Sequence, residues 1–368
     1  MTMNFNPLCE KSRQTITLNW AWLGCWCLVL IGLFGCKQHA DGNGASITQT
    51  ESAKTIVSER ELEELLDAVG KLQPQIWVND LSRMVDSTFM NQTNLNHTVS
   101  TSDFEALKVA LQSNKISYEL AETIFPNLHV AALDPDYPQE RKIHIQLYSF
   151  DKEKSDFKHF AIAIGQDIVS QNLLYFFHEN KVIACHDIYH RYGLEIQHFR
   201  NELNETIVYY KVNFESGTGI WWHQFNFYRY ENDELKPALT ELQNINQQFP
   251  WNLRAFWIES TILSSNPLTF KFVFNNQFTD SLGNPMDFIN DSTMVTYYFN
   301  RTTKMYEPDF KDDKLSRLKL LTYYLADNEL LFVNVYYDVF KKALKSQNRL
   351  LKQAVLNYLA ELKRTQNG

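Results

Sequence analysis

Residues 205–214 read ETIVYYKVNF and residues 220–230 read IWWHQFNFYRY, with Ser216-Gly217-Thr218-Gly219 between them. β-Branched and aromatic side chains suit a pleated, half-buried surface, and a Gly-rich break between two such runs marks a turn. The stretch predicts a β-hairpin. Aligning like with like pairs Phe214 with Trp221, Val212 with His223, Tyr210 with Phe225 and Val208 with Phe227, which gathers one apolar face. The opposite face then carries Lys211 and Asn213 beside Trp222, Gln224, Asn226 and Tyr228.

Runs of the same kind extend in both directions. KIHIQLYSF (142–150), HFAIAIG (159–165), NLLYFF (172–177) and KVIACHDIYH (181–190) precede the hairpin. LTFKFVF (268–274) and MVTYYFN (294–300) follow it. No helical period separates most of them, so parallel βαβ units are not expected, and residues 128–308 read as an antiparallel meander, curved or sandwiched.

The flanks read as helix. Ser58-Glu59-Arg60-Glu61 is a capping box, with Val57 and Leu62 placed as a hydrophobic staple. Leu62, Leu65, Leu66 and Val69 continue it as one apolar stripe. A short helix is expected around Trp77, and Ser102-Asp103-Phe104-Glu105 reads as a second capping box, so residues 58–127 are expected to be helical. In the tail, 309–368, Leu315, Leu318, Leu321 and Leu325 form one stripe, and Leu351, Val355, Tyr358 and Leu362 another. Between them LLFVNVYY (330–337) reads as a strand. The expected fold class is α+β: N-terminal helices, a large antiparallel meander or sandwich, and C-terminal helices, with 58–368 compatible with one domain.

Of 368 residues, 44% are hydrophobic and 21% charged, the proportions of a globular chain. The net charge of −8 provides no global basic field, which argues against nucleic acid as a partner.

The N-terminus carries an address. Residues 18–35, LNWAWLGCWCLVLIGLFG, are apolar apart from Asn19, and Lys11 and Arg13 precede them, the layout of an export signal. The run ends at Leu33-Phe34-Gly35-Cys36, and this ending resembles the lipobox of bacterial lipoprotein signal peptides. The resemblance covers residues 1–36 only. It implies that 1–35 are removed, that the Cys36 thiol and new amino group are acylated, and that the partner of Cys36 is the lipid bilayer. Residues 36–57, small and polar, then read as a flexible tether. Lys37, where Asp would favour inner-membrane retention, implies the outer membrane. Cys185 is then the only other cysteine of the mature chain, so no intramolecular disulfide is expected.

Three groups are candidates for function. His186 and His190 stand four apart with Asp187 between them, as in zinc-binding H-x-x-x-H helices, but Ile196 stands where a third ligand of the longer metzincin signature belongs. The alternating KVIACHDIYH context reads instead as a strand. Trp222 and Tyr228, with Gln224 and Asn226, form a possible platform for a sugar ring or a peptide. The basic tail, including Lys341, Lys342, Lys345, Arg349, Lys352 and Lys363, reads as the solvated side of helices more than as a lipid-headgroup surface. No G-x-S-x-G, P-loop, G-x-G-x-x-G or calcium loop occurs, and no cofactor is implied. The leading expectation is a non-enzymatic envelope lipoprotein that binds or assembles with an envelope protein or glycan. A zinc hydrolase using His186 and His190 and a carbohydrate-binding lipoprotein are the alternatives.

Overall fold

The computed structural model describes residues 57–367 except 76, 81–91, 129–141, 165–169, 191–193, 216–220, 248–252 and 281. Cys36, the apolar run 18–35 and all but the last residue of the expected tether 36–57 therefore lie outside the described residues.

The α+β class is what the structure has. Six strands form one antiparallel sheet: β1 (Gln92–Thr98), β2 (Lys115–Ser117), β3 (Lys142–Ser149), β4 (His159–Ile164), β5 (Ser170–His178) and β6 (Lys181–His190), in the order β1-β6-β5-β4-β3-β2. The second sheet is an eight-stranded meander in strict sequence order. It runs through β7 (Ile196–Arg200), β8 (Thr206–Glu215), β9 (Trp221–Glu231), β10 (Glu234–Gln247), β11 (Ala255–Ser265), β12 (Leu268–Thr279), β13 (Pro285–Asn300) and β14 (Met305–Asp309). Val57–Gly368 form one compact unit.

The layers follow from what each strand face buries. Helices α1 (Glu59–Gly70), α2 (Thr101–Ser113) and α3 (Tyr118–Ile124) come first in the chain. Leu107 and Leu111 of α2 and Ile124 of α3 pack on Ile145, Ile162 and Val182, one face of the six-stranded sheet. The other face, with Ala161, Leu174, Phe176 and Ala184, packs against Val208, Tyr210, Tyr228 and Leu235 of the meander, a sandwich interior. The far face of the meander, rich in Phe227, Phe270, Phe272 and Tyr297, is covered by α4 (Arg317–Tyr324) through Leu320, Leu321 and Tyr324. A last cluster joins α1 to α5 (Glu329–Val335), α6 (Tyr337–Leu344) and α7 (Arg349–Asn367) around Phe278 and Phe340.

Local sequence explains the helix ends. Ser58 caps α1 as a capping box: its side chain accepts from the Glu61 N–H, and the Glu61 carboxylate accepts from the Ser58 N–H at 2.8 Å. Leu62, Leu66 and Val69 are its buried residues. The next cap differs from expectation. Ser100, not Ser102, caps α2, accepting from the Asp103 N–H at 3.1 Å. Two strands, β1 and β2, also lie inside the stretch expected to be wholly helical. β1 is a mostly polar edge strand (QTNLNHT) that pairs with β6, so its burial pattern carries little signal.

Residues 330–337, expected as a strand, are helix: α5 and the start of α6. Leu331, Phe332 and Val333 are consecutively buried, so this segment is apolar all round and shows no helical stripe. Asn328 caps it, accepting from the Leu331 N–H.

Candidate functional site

The hairpin register is one residue away from the like-with-like alignment. Val208 pairs with Tyr228, Tyr210 with Asn226, Val212 with Gln224 and Phe214 with Trp222. The partly wet platform does not form. Tyr228 and Asn226 are each 2% exposed. Tyr228 stacks on Tyr210 in the sandwich interior and accepts the Tyr210 hydroxyl proton at 3.3 Å. Asn226 Oδ1 accepts from Thr240. Gln224 is half-buried. The Trp222 ring lies 6.2 Å from that of Tyr324 beneath α4, and its buried Nε1–H has no hydrogen-bond partner among the described residues. Trp222 thus belongs to the core rather than to an open face.

The zinc reading is corrected in the same way. His186 and His190 lie on β6, a strand rather than a helix. Four residues along a strand span roughly 13 Å, too far for two imidazoles to share one ion with the geometry an i, i+4 helix pair provides. His186 is 1% exposed between the sheets, its Nδ1 2.8 Å from the Tyr210 hydroxyl. Burial pushes its pKa down to about 3, so it is held neutral. No cluster of three or more His, Cys, Asp or Glu positioned for a metal occurs among the described residues.

The basic tail also finds partners. Lys341 pairs with Asp67 at 2.8 Å, Lys352 with Glu59 at 2.5 Å and Lys363 with Glu61 at 3.3 Å. All three acids lie on α1, so these lysines join the two ends of the folded unit rather than facing solvent alone. Asn334 adds hydrogen bonds to the Val69 and Leu72 carbonyls. Lysine and Ser58 contacts draw the Glu61 carboxyl down to about 2, its Ser58 hydrogen bonds being the larger cause.

What the sequence did not bring together is a cleft of about 620 Å³ where the β3–β4 loop meets α2, the β5–β6 turn and the end of β7. Its cations are Lys108, Lys152, Lys158 and Arg200, and its acids Asp151, Asp156 and Glu179. Phe104 and Phe157 supply an aromatic floor, edge to face at 6.2 Å, with Lys108 Nζ 4.7 Å from the Phe104 centroid. The Asp151 carboxylate turns into the loop and accepts the backbone N–H groups of Lys158 at 2.7 Å and His159 at 3.0 Å. It therefore organises the loop that carries Lys152 and Lys158.

Phe157 (φ 49°) and Glu179 (φ 54°) are both in the left-handed region. Four of the other non-glycine residues with positive φ are Asn, which tolerates it; Phe and Glu do not, and the conformation costs them roughly 1–2 kcal/mol. Lys304, outside the cleft, has the same conformation at φ 59°.

Behind the cleft stand two cross-strand histidines. His159 and His178 stack at 5.0 Å. His159 Nδ1 lies 3.1 Å from Thr206 Oγ1 on β8, while Asp233, in the β9–β10 turn, sits 2.7 Å from His178 Nδ1 and takes Lys181 at 2.8 Å. These contacts tie the two sheets together. The His159 pKa is pushed down to about 4, by burial first and then by the positive charge of His178, Arg200 and Lys158.

No stretch of sequence announces this cleft, since its residues come from four separate segments; the only local signal was Asp151 opening a charged loop between two β-like runs. Comparison with protein-family models, with curated proteins and with solved structures finds no match.

Proposed function

We propose that the chain is a lipid-anchored protein of the bacterial cell envelope, on the outer membrane, whose extracytoplasmic folded unit binds a ligand or partner and carries out no catalysis of its own. The observation that carries the reading is the apolar run 18–35 ending at Leu33-Phe34-Gly35-Cys36, followed at once by polar sequence. The position of the first helix supports it. The Ser58 cap starts the folded unit some twenty residues after Cys36, a separation that suits a tether. Two or more acyl chains on Cys36 provide a stable anchor, which a single chain does not. Among the described residues no helix is long and apolar enough to cross a membrane.

Cells labelled with a fatty acid test the anchor. The wild-type chain is expected to incorporate label and fractionate with outer membranes. Cys36→Ser is expected to lose the label and remain unprocessed. Label retained in that variant overturns the assignment.

A further inference from the structure

We propose that the cleft between α2, the β3–β4 loop and the β5–β6 turn binds a small zwitterion that joins a phosphate to an ammonium group, of the phosphoethanolamine type. This deepens the binding role proposed above and rests on it.

The charges left over in the cleft carry the inference. Lys108 is offset by Glu105, at 2.8 Å. Lys152, Lys158 and Arg200 have no ion-pair partner among the described residues; the Arg200 side chain makes one long hydrogen bond, 3.4 Å to the Asn204 carbonyl. Asp151 does not neutralise them by contact, because its oxygens are taken by the backbone of Lys158 and His159 and its side chain is 5% exposed. Three cations lining one concavity suit a phosphate, which accepts several charge-assisted hydrogen bonds at once and takes the guanidinium fork of arginine two at a time.

Asp156 and Glu179 decide what else the ligand carries. Neither has an ion-pair partner among the described residues, and both line the same cleft. They repel an extended polyanion such as a nucleic acid, since like charges set against one another are penalised at an interface. An ammonium group a few bonds from the phosphate turns that repulsion into a second contact. Glu179 sits in the two-residue turn between the paired His178 and Lys181, which accounts for its φ of 54°.

The zwitterion has two sources, a free metabolite or the headgroup of a phospholipid, and the experiment separates them. The full-length chain in a non-ionic detergent is titrated at low salt with O-phosphoethanolamine and with inorganic phosphate, binding being read by calorimetry. Saturable binding is expected, with O-phosphoethanolamine tighter than phosphate by about fivefold or more. Lys158→Gln with Arg200→Gln should weaken both probes by about tenfold or more. Glu179→Gln should bring the two probes to similar affinity. All these positions are exposed, and the single variant Lys152→Gln gives an independent weakening should the double variant unfold.

Short-chain phosphatidylethanolamine dispersed in the same detergent is then titrated into the full-length chain. Association that the cleft variants abolish identifies the headgroup as the source; binding of the free probe alone identifies a soluble ligand. Absence of saturable binding of either probe, or binding that is unchanged in the charge variants, overturns the proposal. The titration does not depend on acylation, so its failure is distinguishable from failure of the anchor.

Discussion

Arg254 is fully buried, and its replacement tests how the meander holds its helical cover. The side chain is 0% exposed and its guanidinium lies between the rings of Phe256, at 4.4 Å, and Phe332, at 4.0 Å. Its Nε–H donates to Glu329 at 2.9 Å, and Nη1 donates to Asn276 Oδ1 at 2.7 Å. Nη2 donates to the Thr322 and Ala326 carbonyls at 3.2 and 3.1 Å, groups left open at the C-terminal end of α4. One residue therefore links the start of β11 to β12, α4 and α5.

Arg254→Met keeps the apolar stem but removes every donor. Glu329 loses its cation yet still accepts from Tyr358 at 2.6 Å, so it is not wholly abandoned. Breaking a buried ion pair from one side costs about 3–5 kcal/mol, and the two carbonyls add to the cost rather than relieve it. The expected loss is about 4 kcal/mol. Replacing both members of the pair, Arg254→Met with Glu329→Leu, should recover ~1–2 kcal/mol, because no uncompensated carboxylate remains while the carbonyls stay unpaired. The measurement is urea unfolding of the full-length chain in the Cys36→Ser background, followed by circular dichroism, with the slope checked for constancy. A single-variant loss under about 1 kcal/mol would refute the claim that this network holds α4 to the sheet.

Three other outcomes follow from the packing and titration. A Cβ on Gly70 would overlap the Tyr337 ring, so Gly70→Ala should destabilise by about 1–3 kcal/mol in the same unfolding assay. His186 is held near pKa 3 in the fold, below its unfolded value, so its contribution is full above about pH 6.5 and falls as the pH drops toward 3. His186→Phe should therefore flatten the acid side of the stability curve by about 1.4 kcal/mol per pH unit in that window; an unchanged slope counts against burial of a neutral imidazole. Trp222→Phe should stay within ~1 kcal/mol of wild type, because it also removes an unpaired buried N–H, whereas Trp222→Ala should cost ~3 kcal/mol; equal effects would place Trp222 outside the core.

The meander was legible because its strands announce themselves twice, by aromatic and β-branched content and by the turns between them. Its register was not, and the reason lies in β9. Phe227, Tyr228, Arg229 and Tyr230 are all buried, so both faces of that strand are covered and apolar matching cannot tell one face from the other. The α5 segment failed for a related reason: a helix packed on every side has no stripe, and only its Asn328 cap distinguishes it from a buried strand. The polar edge strand β1 failed for the opposite reason, having almost no apolar side chain to pattern. The cleft lay beyond any such reading. Its residues are ordinary one by one, and only the packing of α2 beside two loops and a strand end gives them a common concavity.

The ion pairs between α1 and the C-terminal helices bear on how the two ends of the folded unit meet as well as on stability. Exposed pairs of this kind contribute little each, about 0–1 kcal/mol, and screen with salt. Their geometry matters more than their energy. α1 is the first described element of the folded unit. Its Leu62, Leu66 and Val69 face is buried against Phe340, Tyr358 and Leu359, and the lysines on α6 and α7 fix which side of α1 faces them. Gly70 permits the close approach of Tyr337 that completes this contact. The opposite charges of α1 and the tail are thus best understood as specifying how the two chain ends meet. That accounts for a basic tail in an acidic protein without assigning the paired lysines to a membrane surface.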